Sequence, residues 1–532
     1  MRLSNLTLQD KEQWVKAGIE LPAFDREAMI TATKEAPEWV HFGAGNIFRA
    51  FPAALQQKLL DAGLTKTGII VAEGYDGEII DKAYRPFDDL CIAVTLKANG
   101  SIQKKVIASL AESLRVDSDF ERLKAIFKAP SLRMVSFTIT EKGYSLSGPG
   151  GKITPQVEAE FAAGPDAHLQ NPIATLSSLC YERYKAGKLP LALVSMDNCS
   201  HNGDKLFAAV DAFAAEWTKR GLAELGFLDY IHNTVSFPLS MIDKITPQPD
   251  ESVRQTLISA GIEDMAGTRT AKNTYVAPFV NAEEAEYLVI EDKFPAGRPP
   301  LEKAGVLFTD RETVDKVEKM KVCTCLNPLH TALAVFGCLL GYTKISEEMK
   351  NSDLVRLVEI IGYKEGLPVV VDPGILSPRK FIDEVLQVRI PNPFMPDTPQ
   401  RIATDTSQKI PIRFGETIKA YLASSSLKVD ELKLIPLALA AWLRYLLGID
   451  DEGKPFTVSP DPLYETLSQS LSGLQLGKAG PFHDTLAPIL SDKRIFAVDL
   501  YEAGLGQTVE AYFAELMAGP GAVAATLKRA VA

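Results

Sequence analysis

The sequence predicts an α/β chain, with strands and helices alternating around a parallel sheet in its N-terminal part and mostly helices in its C-terminal part. Three observations predict this. Short β-branched or aliphatic runs recur through the N-terminal part, each bounded by glycine or polar residues, as strands buried on both faces do. The first run, Trp39–Phe42, passes directly into GAGNIFRAF and a helical pattern, and a second run follows at 68–72. From about Thr309 long helical patterns dominate, so the expected domains are 1–308 and 309–532.

Length and composition bound the rest. At 532 residues, with 46% hydrophobic and 23% charged residues, the chain is ordinary globular material for two or three domains. Its net charge of -11 argues against a nucleic-acid partner or an anionic membrane, both of which need clustered positive charge. The start, MRLSNLTLQDKEQW, has no apolar signal-peptide core, and the apolar stretch 434–449 is interrupted by Pro436 and Arg444. The expectation is a cytoplasmic protein. Six scattered cysteines fit reduced thiols, and Cys323-x-Cys325 has no second pair at ligand spacing, so no metal is expected.

After Phe42, the residues Phe48, Phe51, Leu55 and Leu59 recur at spacings of three and four, which predicts a helix through Leu60 that Gly63 ends. The strand at 68–72 ends on Glu73, completing a β-α-β unit. In a Rossmann-like dinucleotide fold, the first glycines let the backbone approach the pyrophosphate at the helix N-terminus. An acid ending the second strand binds the ribose hydroxyls. Gly43 and Gly45 fit the first two glycines, Phe48 stands where the third is expected, and Glu73 comes 25 residues after Phe48. A carboxylate there favours NAD over NADP, because it repels a 2′-phosphate. The same residues also fit any tight strand-to-helix turn.

Further strands are expected at Cys91–Leu96, 134–139 and 191–196. Two of them end in polar signatures, TEKGY at 140–144 and DNCSHNG at 197–203, which are candidate site walls because ligands bind beyond the carboxyl ends of such strands. The amphipathic helix at 204–222 is scaffold, and Asp243 sits between two prolines in FPLSMIDKITP. In the helical half, KVCTCLNPLHTALAVFGCLLGY gathers Lys321, Asn327 and His330 before an apolar helix. Asn327 is the expected N-cap, Pro328 suits the first turn, and Asn327 and His330 share a face. Lys321 would meet the positive end of the helix dipole, which favours its neutral form and makes it a candidate base. The plainer alternative is a capped core helix with a surface lysine before it.

Taken in order, HFGAGNIFRAF, TITEKGY, DNCSHNG, SMIDKITP, the lysine–asparagine–histidine stretch, TPQRIATDTSQK and VDLYEAGLGQTVEAYF resemble the polyol-specific long-chain dehydrogenases, the mannitol dehydrogenase family. The resemblance covers most of the chain. It implies a Rossmann-like NAD-binding domain and a mostly helical second domain. For the cofactor it implies Gly43, Ala44, Gly45, Asn46, Phe48, Arg49 and Glu73, with Thr140 and Glu141. For catalysis it implies Lys321, Asn327 and His330, with Asn198 as a second asparagine at the reacting oxygen. For substrate it implies Asp243, and Arg401 and Lys409 from the second domain. The chain departs from the family in one place: five residues, Val322 to Leu326, separate the lysine from the asparagine where the family usually has four. Glu318 stands three before Lys321, as the family's acidic neighbour does, which favours Lys321 over Lys319. Family members are often monomeric, so a monomer or small homo-oligomer is expected.

Oxidation of a secondary alcohol needs a base for the hydroxyl proton as hydride leaves carbon, and amides to hold the oxygen as it becomes anionic; neither needs a metal. Within the family, WVHFGAGNIFRAF and the 321–342 variant look more like the mannonate oxidoreductase (fructuronate reductase) members. A uronate carries a carboxylate that calls for a cationic partner, and Arg413 with Arg401 and Lys409 forms a candidate clamp; alternatively Arg413 pairs with Glu416. The expected reaction is NAD(H)-dependent interconversion of D-mannonate and D-fructuronate. A mannitol- or arabinitol-type polyol 2-dehydrogenase, or a tagaturonate reductase, is the alternative within the class. Two readings lie outside it: a metal-dependent sugar-acid isomerase or epimerase using Asp197, His201, Asp243 and His330, and a nucleotide-binding protein without turnover.

Overall fold

The structure is a computed structural model that describes residues 1–148, 150–478 and 480–532. The chain divides into two compact units, Met1–Leu96 with Ser101–Asp315, and Lys97–Gly100 with Lys316–Ala532.

The first unit is built on a six-stranded sheet of β1 (Trp39–Phe42), β2 (Ile69–Glu73), β3 (Leu110–Arg115), β4 (Met134–Phe137), β5 (Leu191–Ser195) and β6 (Val235–Ser236). The strands lie in the order β3-β2-β1-β4-β5-β6, and every pairing is parallel. This is the doubly wound order whose direction reverses between β1 and β4, where a crevice opens at the carboxyl ends. Alternate residues feed two cores. Val40, Ile70, Ala72 and Val135 face one, with the helices Phe120–Lys128, Pro172–Lys185 and Asn202–Lys219. Trp39, Ile69, Val71 and Met134 face the other, with Leu55 and Leu59 of the helix Pro52–Asp61.

Two expectations are corrected here. Cys91–Leu96 is a strand, but it belongs to a separate four-stranded sheet with Ile19–Glu20, Ile102–Ile107 and Phe279–Glu283. The sheet's third strand is instead β3, whose mixed sequence LAESLR hid it. The helix after the first turn is two helices, Asn46–Ala50 and Pro52–Asp61, because Pro52 has no N–H to continue the ladder. Gly63, at φ 67°, lies just past the end. A three-stranded sheet of Ser240–Asp243, Tyr287–Glu291 and Leu307–Thr309 carries Asp243 at a strand end.

The second unit is helical. Leu434–Tyr445 is buried along its whole length and packs against Asn327–Leu339 and Gly506–Leu516. A helix without a solvent face needs partners at both ends. The Glu365 carboxylate accepts from the N–H groups of Lys433, Leu434 and Ile435 at 2.7, 2.7 and 2.8 Å. At the other end Arg444 donates to the carbonyls of Ile449 and Asp450 at 2.6 and 3.1 Å, so the arginine that breaks the apolar run is the cap. The run Arg311–Leu339 is long and apolar enough to cross a membrane, and 78% of that window is buried inside the protein.

Among the described residues, four segments of this unit are π-helical: Met320–Cys325, Ile360–Gly366, Val385–Arg389 and Pro411–Gly415. Such wide turns are rare and gather at functional sites. The pattern expected as one helix at 346–362 is divided into Ile345–Glu348, Ser352–Glu359 and the second wide turn.

Glu348 packs where a Cβ on Gly337 would overlap its carboxyl; neither carboxyl oxygen has a hydrogen-bond partner, and burial pushes its pKa up to about 9. An acid raised in the fold loses stability as the unfolded chain ionises, from pH 4.5 upward. Glu348→Gln is therefore expected to gain stability over wild type in denaturant titrations, by under about 1 kcal/mol at pH 5 and by about 3 kcal/mol or more at pH 8.

Candidate functional site

At the carboxyl end of β1 the chain turns through Gly43, Ala44 and Gly45 into the helix Asn46–Ala50. Gly43 has φ 106°, and a Cβ there would lie 2.6 Å from the Thr138 carbonyl, so the turn itself requires glycine. Gly45 differs. Its φ of -77° suits any residue, and a Cβ there would meet nothing within 4 Å. The protein has no need of a glycine at that point, and the open space in front of the helix N-terminus is what a closely approaching pyrophosphate requires.

Glu73 holds this turn. Its Oε2 accepts from the Ala44 N–H at 2.8 Å, and its Oε1 from the N–H groups of Tyr75 and Asp76 at 2.8 and 3.0 Å. Tyr84 donates to the Ala44 carbonyl at 2.8 Å. Three of the roughly four lone-pair positions of the carboxylate are used, which leaves one for a ribose hydroxyl.

Three members of the expected cofactor set face inward. Ala44 is fully buried, with its N–H committed to Glu73. Phe48 is fully buried and stacks on His41 at 4.1 Å between ring centroids, taking with side-chain packing the place of a third glycine. The Arg49 guanidinium is 1% exposed and donates to the Ala277 carbonyl at 2.7 Å and Asn46 Oδ1 at 2.9 Å, so it orients Asn46 and does not reach the open site. Thr140 and Glu141 lie exposed at the short helix Glu141–Tyr144, where Glu141 pairs with Lys205.

Asp197 sits after β5. It accepts from the Tyr144 hydroxyl and, at 3.2 Å, from the Cys199 N–H, and so ties two strand ends together. Asn198 beside it is exposed, and Asp243 is 3% exposed at its strand end. The ligand set considered for a metal does not assemble: Asp197 is committed as described, and the His201 ring lies beside Asp204 and Asp315. No group of three His, Cys, Asp or Glu side chains among the described residues is placed to hold a metal ion.

In the second unit, the Lys321 carbonyl accepts from the Leu326 N–H at 3.1 Å, five residues on, within the wide turn Met320–Cys325. A wide turn inserts one residue into a helix while the flanks keep their phase. Such a turn has room for one residue more than an ordinary helical turn between Lys321 and Asn327. Asn327 is the first residue of the helix Asn327–Leu339, and the N-cap position falls to Leu326, which makes no side-chain cap. The expected Asn327 cap is thus corrected, because the preceding helix runs through the wide turn almost to the start of the next. The wide turn packs on those at Ile360–Gly366 and Pro411–Gly415.

His330 lies one turn on, half-buried. Burial pushes its pKa down to about 4; Asp397 opposes this, and Arg389, Arg413 and Arg401 add to it. Arg413 donates to Thr331 Oγ1 at 2.7 Å, and that hydroxyl donates to the Asn327 carbonyl at 2.9 Å. Glu416 pairs with Lys419, so the alternative partner for Arg413 is engaged elsewhere. No carboxylate among the described residues pairs with Arg413, and burial lowers its pKa to about 10. Arg401 is paired with Asp397. Lys409 donates to the carbonyls of Ile402 and Thr404, and burial, with Arg413 nearby, brings its pKa to about 8. Arg389 and Asp397 had not been singled out. The i,i+4 spacing of Asp397 and Arg401 was a readable signal, whereas Arg389, in the wide turn Val385–Arg389, gave none.

The sheet order, the glycine turn and the acid ending β2 define a dinucleotide-binding oxidoreductase with a helical second unit. The chain belongs to the mannitol dehydrogenase family: the model of the mannitol dehydrogenase Rossmann domain matches residues 37–303, and that of the mannitol dehydrogenase C-terminal domain matches 313–517. It is 53% identical over 536 residues to the D-mannonate oxidoreductase of Thermotoga maritima, covering 100% of this chain and 99% of that one. Two solved structures are similar. A D-sorbitol dehydrogenase in substrate-free form matches at 26% identity with a TM-score of 0.79, over 96% of this chain and 98% of that one. A ternary complex of Pseudomonas fluorescens mannitol 2-dehydrogenase with NAD and D-mannitol matches at 25% identity and 0.69, over 99% of each.

His330 is expected to stay neutral throughout pH 5–8. The unfolded chain takes up its proton near pH 6.5, so this residue costs the fold stability as pH falls from about 6.5 towards 4. The nitrogen-15 spectrum of histidine-labelled protein, with His330→Asn for assignment, is expected to show no His330 titration near 6.5.

Proposed function

We propose that the chain interconverts D-mannonate and D-fructuronate. It is an NAD-dependent secondary-alcohol dehydrogenase, and the substrate and the residue roles are what this proposal adds. The observation that carries it is the Arg413 guanidinium, half-buried, anchored on the residue next to His330 and, among the described residues, without a carboxylate against it. A buried cation calls for an anion, and the carboxylate that separates a uronate from a neutral ketose supplies one. The full-length likeness to a D-mannonate oxidoreductase supports the same substrate.

The residues fit the cofactor: Gly45 leaves the helix N-terminus open, and Glu73 retains one acceptor position for a ribose hydroxyl while its charge disfavours a 2′-phosphate. NAD held there would supply the acceptor for the hydride that leaves the carbinol carbon. On this reading Lys321 takes the hydroxyl proton in the oxidation and returns it in the reduction: its lone pair forms the new N–H bond, the O–H pair becomes the second carbon–oxygen bond, and the C–H pair leaves with the hydride. Asn327 and Asn198 donate amide N–H groups to the oxygen as it gains negative charge. His330, uncharged at neutral pH, orients the hydroxyl without competing for its proton, and Asp243 accepts from a second substrate hydroxyl.

NADH oxidation with fructuronate, tagaturonate and fructose tests the substrate. The expected order places fructuronate first, and a preference for fructose overturns the uronate reading. Arg413→Leu is expected to raise KM for fructuronate by ~10- to 100-fold and to leave fructose almost unaffected, the loss of one charge-assisted hydrogen bond. Lys321→Ala is expected to lower kcat by ~10²- to 10⁴-fold with NADH binding retained, whereas Lys319→Ala, at an exposed position, stays near wild type.

A further inference from the structure

A cavity of about 750 Å³ opens in the first unit beyond the carboxyl ends of β1, β2 and β3; Phe42, Glu73, Tyr75, Phe120, Lys124 and Lys272 are among its walls. One of these residues is out of place by ordinary packing. Tyr75 is 69% exposed, and no other Phe, Tyr or Trp among the described residues falls in the exposed class. Nor is its position loose. Its N–H is fixed on Glu73, its carbonyl accepts from the Lys272 ammonium, and that ammonium stands 4.3 Å from the ring centroid.

Lys272 is held in turn by a hairpin, Thr268–Arg269 paired with Tyr275–Val276, that is latched to the segment following Glu73. Thr270 Oγ1 donates to the buried Asp76 carboxylate at 2.6 Å, the Ala271 N–H to the Glu78 carboxylate at 3.3 Å, and Lys82 Nζ to the Arg269 carbonyl at 2.9 Å. The protein therefore spends a hairpin, two carboxylates and two lysines on fixing an aromatic ring that it leaves in water.

We infer that Tyr75, backed by Lys272, is the stacking platform for the adenine of the cofactor. The inference rests on the dinucleotide reading of this unit. The ribose acid is two residues before the ring, and the adenosine half of an extended dinucleotide lies on the β1–β3 side of the switch point. Adenine is planar, uncharged and π-faced, so it covers a tyrosine ring without demanding a charge partner. The ammonium over the ring adds a cation–π contact that holds the ring still before the base arrives.

Calorimetric binding of ADP-ribose, which carries adenine but no nicotinamide, tests this in the full-length chain. Tyr75→Ala is expected to weaken ADP-ribose by roughly 5- to 100-fold, Tyr75→Phe to bind like wild type and Lys272→Met to lose about 2- to 5-fold. The Kd of reduced nicotinamide mononucleotide, which lacks the adenosine, should be the same for wild type and Tyr75→Ala. If Tyr75→Ala binds ADP-ribose within twofold of wild type, or weakens both ligands equally, the platform is overturned while the cofactor site stands. If wild type fails to bind ADP-ribose at all, the dinucleotide reading itself falls.

Discussion

The carboxylate of Glu73 carries more of the first unit than its place in a fingerprint suggests. Buried at the end of β2, it accepts three backbone N–H groups, one from the glycine turn after β1 and two from the segment that carries Tyr75. Charge-assisted bonds to backbone N–H are among the stronger hydrogen bonds available, and a buried carboxylate needs them to remain ionised. The same side chain thus sets the turn that faces a pyrophosphate and the loop that bounds the cavity beside it. One acceptor position of the carboxylate is left over once these three are taken. Without that carboxylate, three backbone N–H groups would lose their partner together.

In the second unit the organising feature is width. The turn at Met320–Cys325 packs on those at Ile360–Gly366 and Pro411–Gly415, so that Lys321, Asn327 and Arg413 lie on adjoining elements. Around His330 three arginines and Asp397 act electrostatically, and burial keeps the imidazole neutral. Asp397 is taken by Arg401, whereas the half-buried Arg413 has one arm satisfied by Thr331.

Much of the first unit was legible because its strands are short, aliphatic and bounded by glycine. Trp39–Phe42 and the run ending at Glu73 came directly from the pattern. Leu110–Arg115 did not, because an edge strand carrying Glu112 and Arg115 has no apolar run to read. The site divides the same way. Residue type and order brought out Lys321, Asn327 and His330, while the inward facing of Ala44, Phe48 and Arg49 depends on groups distant in sequence such as Ala277. The capping role expected of Asn327 failed because capping assumes a helix start, and here one helical path enters another through a wide turn.

The sequence by itself determined the alternation of strands and helices and the glycine turn with its distant acid, since these follow from local periodicity and spacing, while the order of its motifs carried the family resemblance. Only the tertiary structure decided the β3-β2-β1-β4-β5-β6 order, the wide turn between Lys321 and Asn327, and the lack, among the described residues, of a carboxylate paired with Arg413. These depend on hydrogen bonds and burial between segments tens to hundreds of residues apart, and no local window of sequence contains both partners.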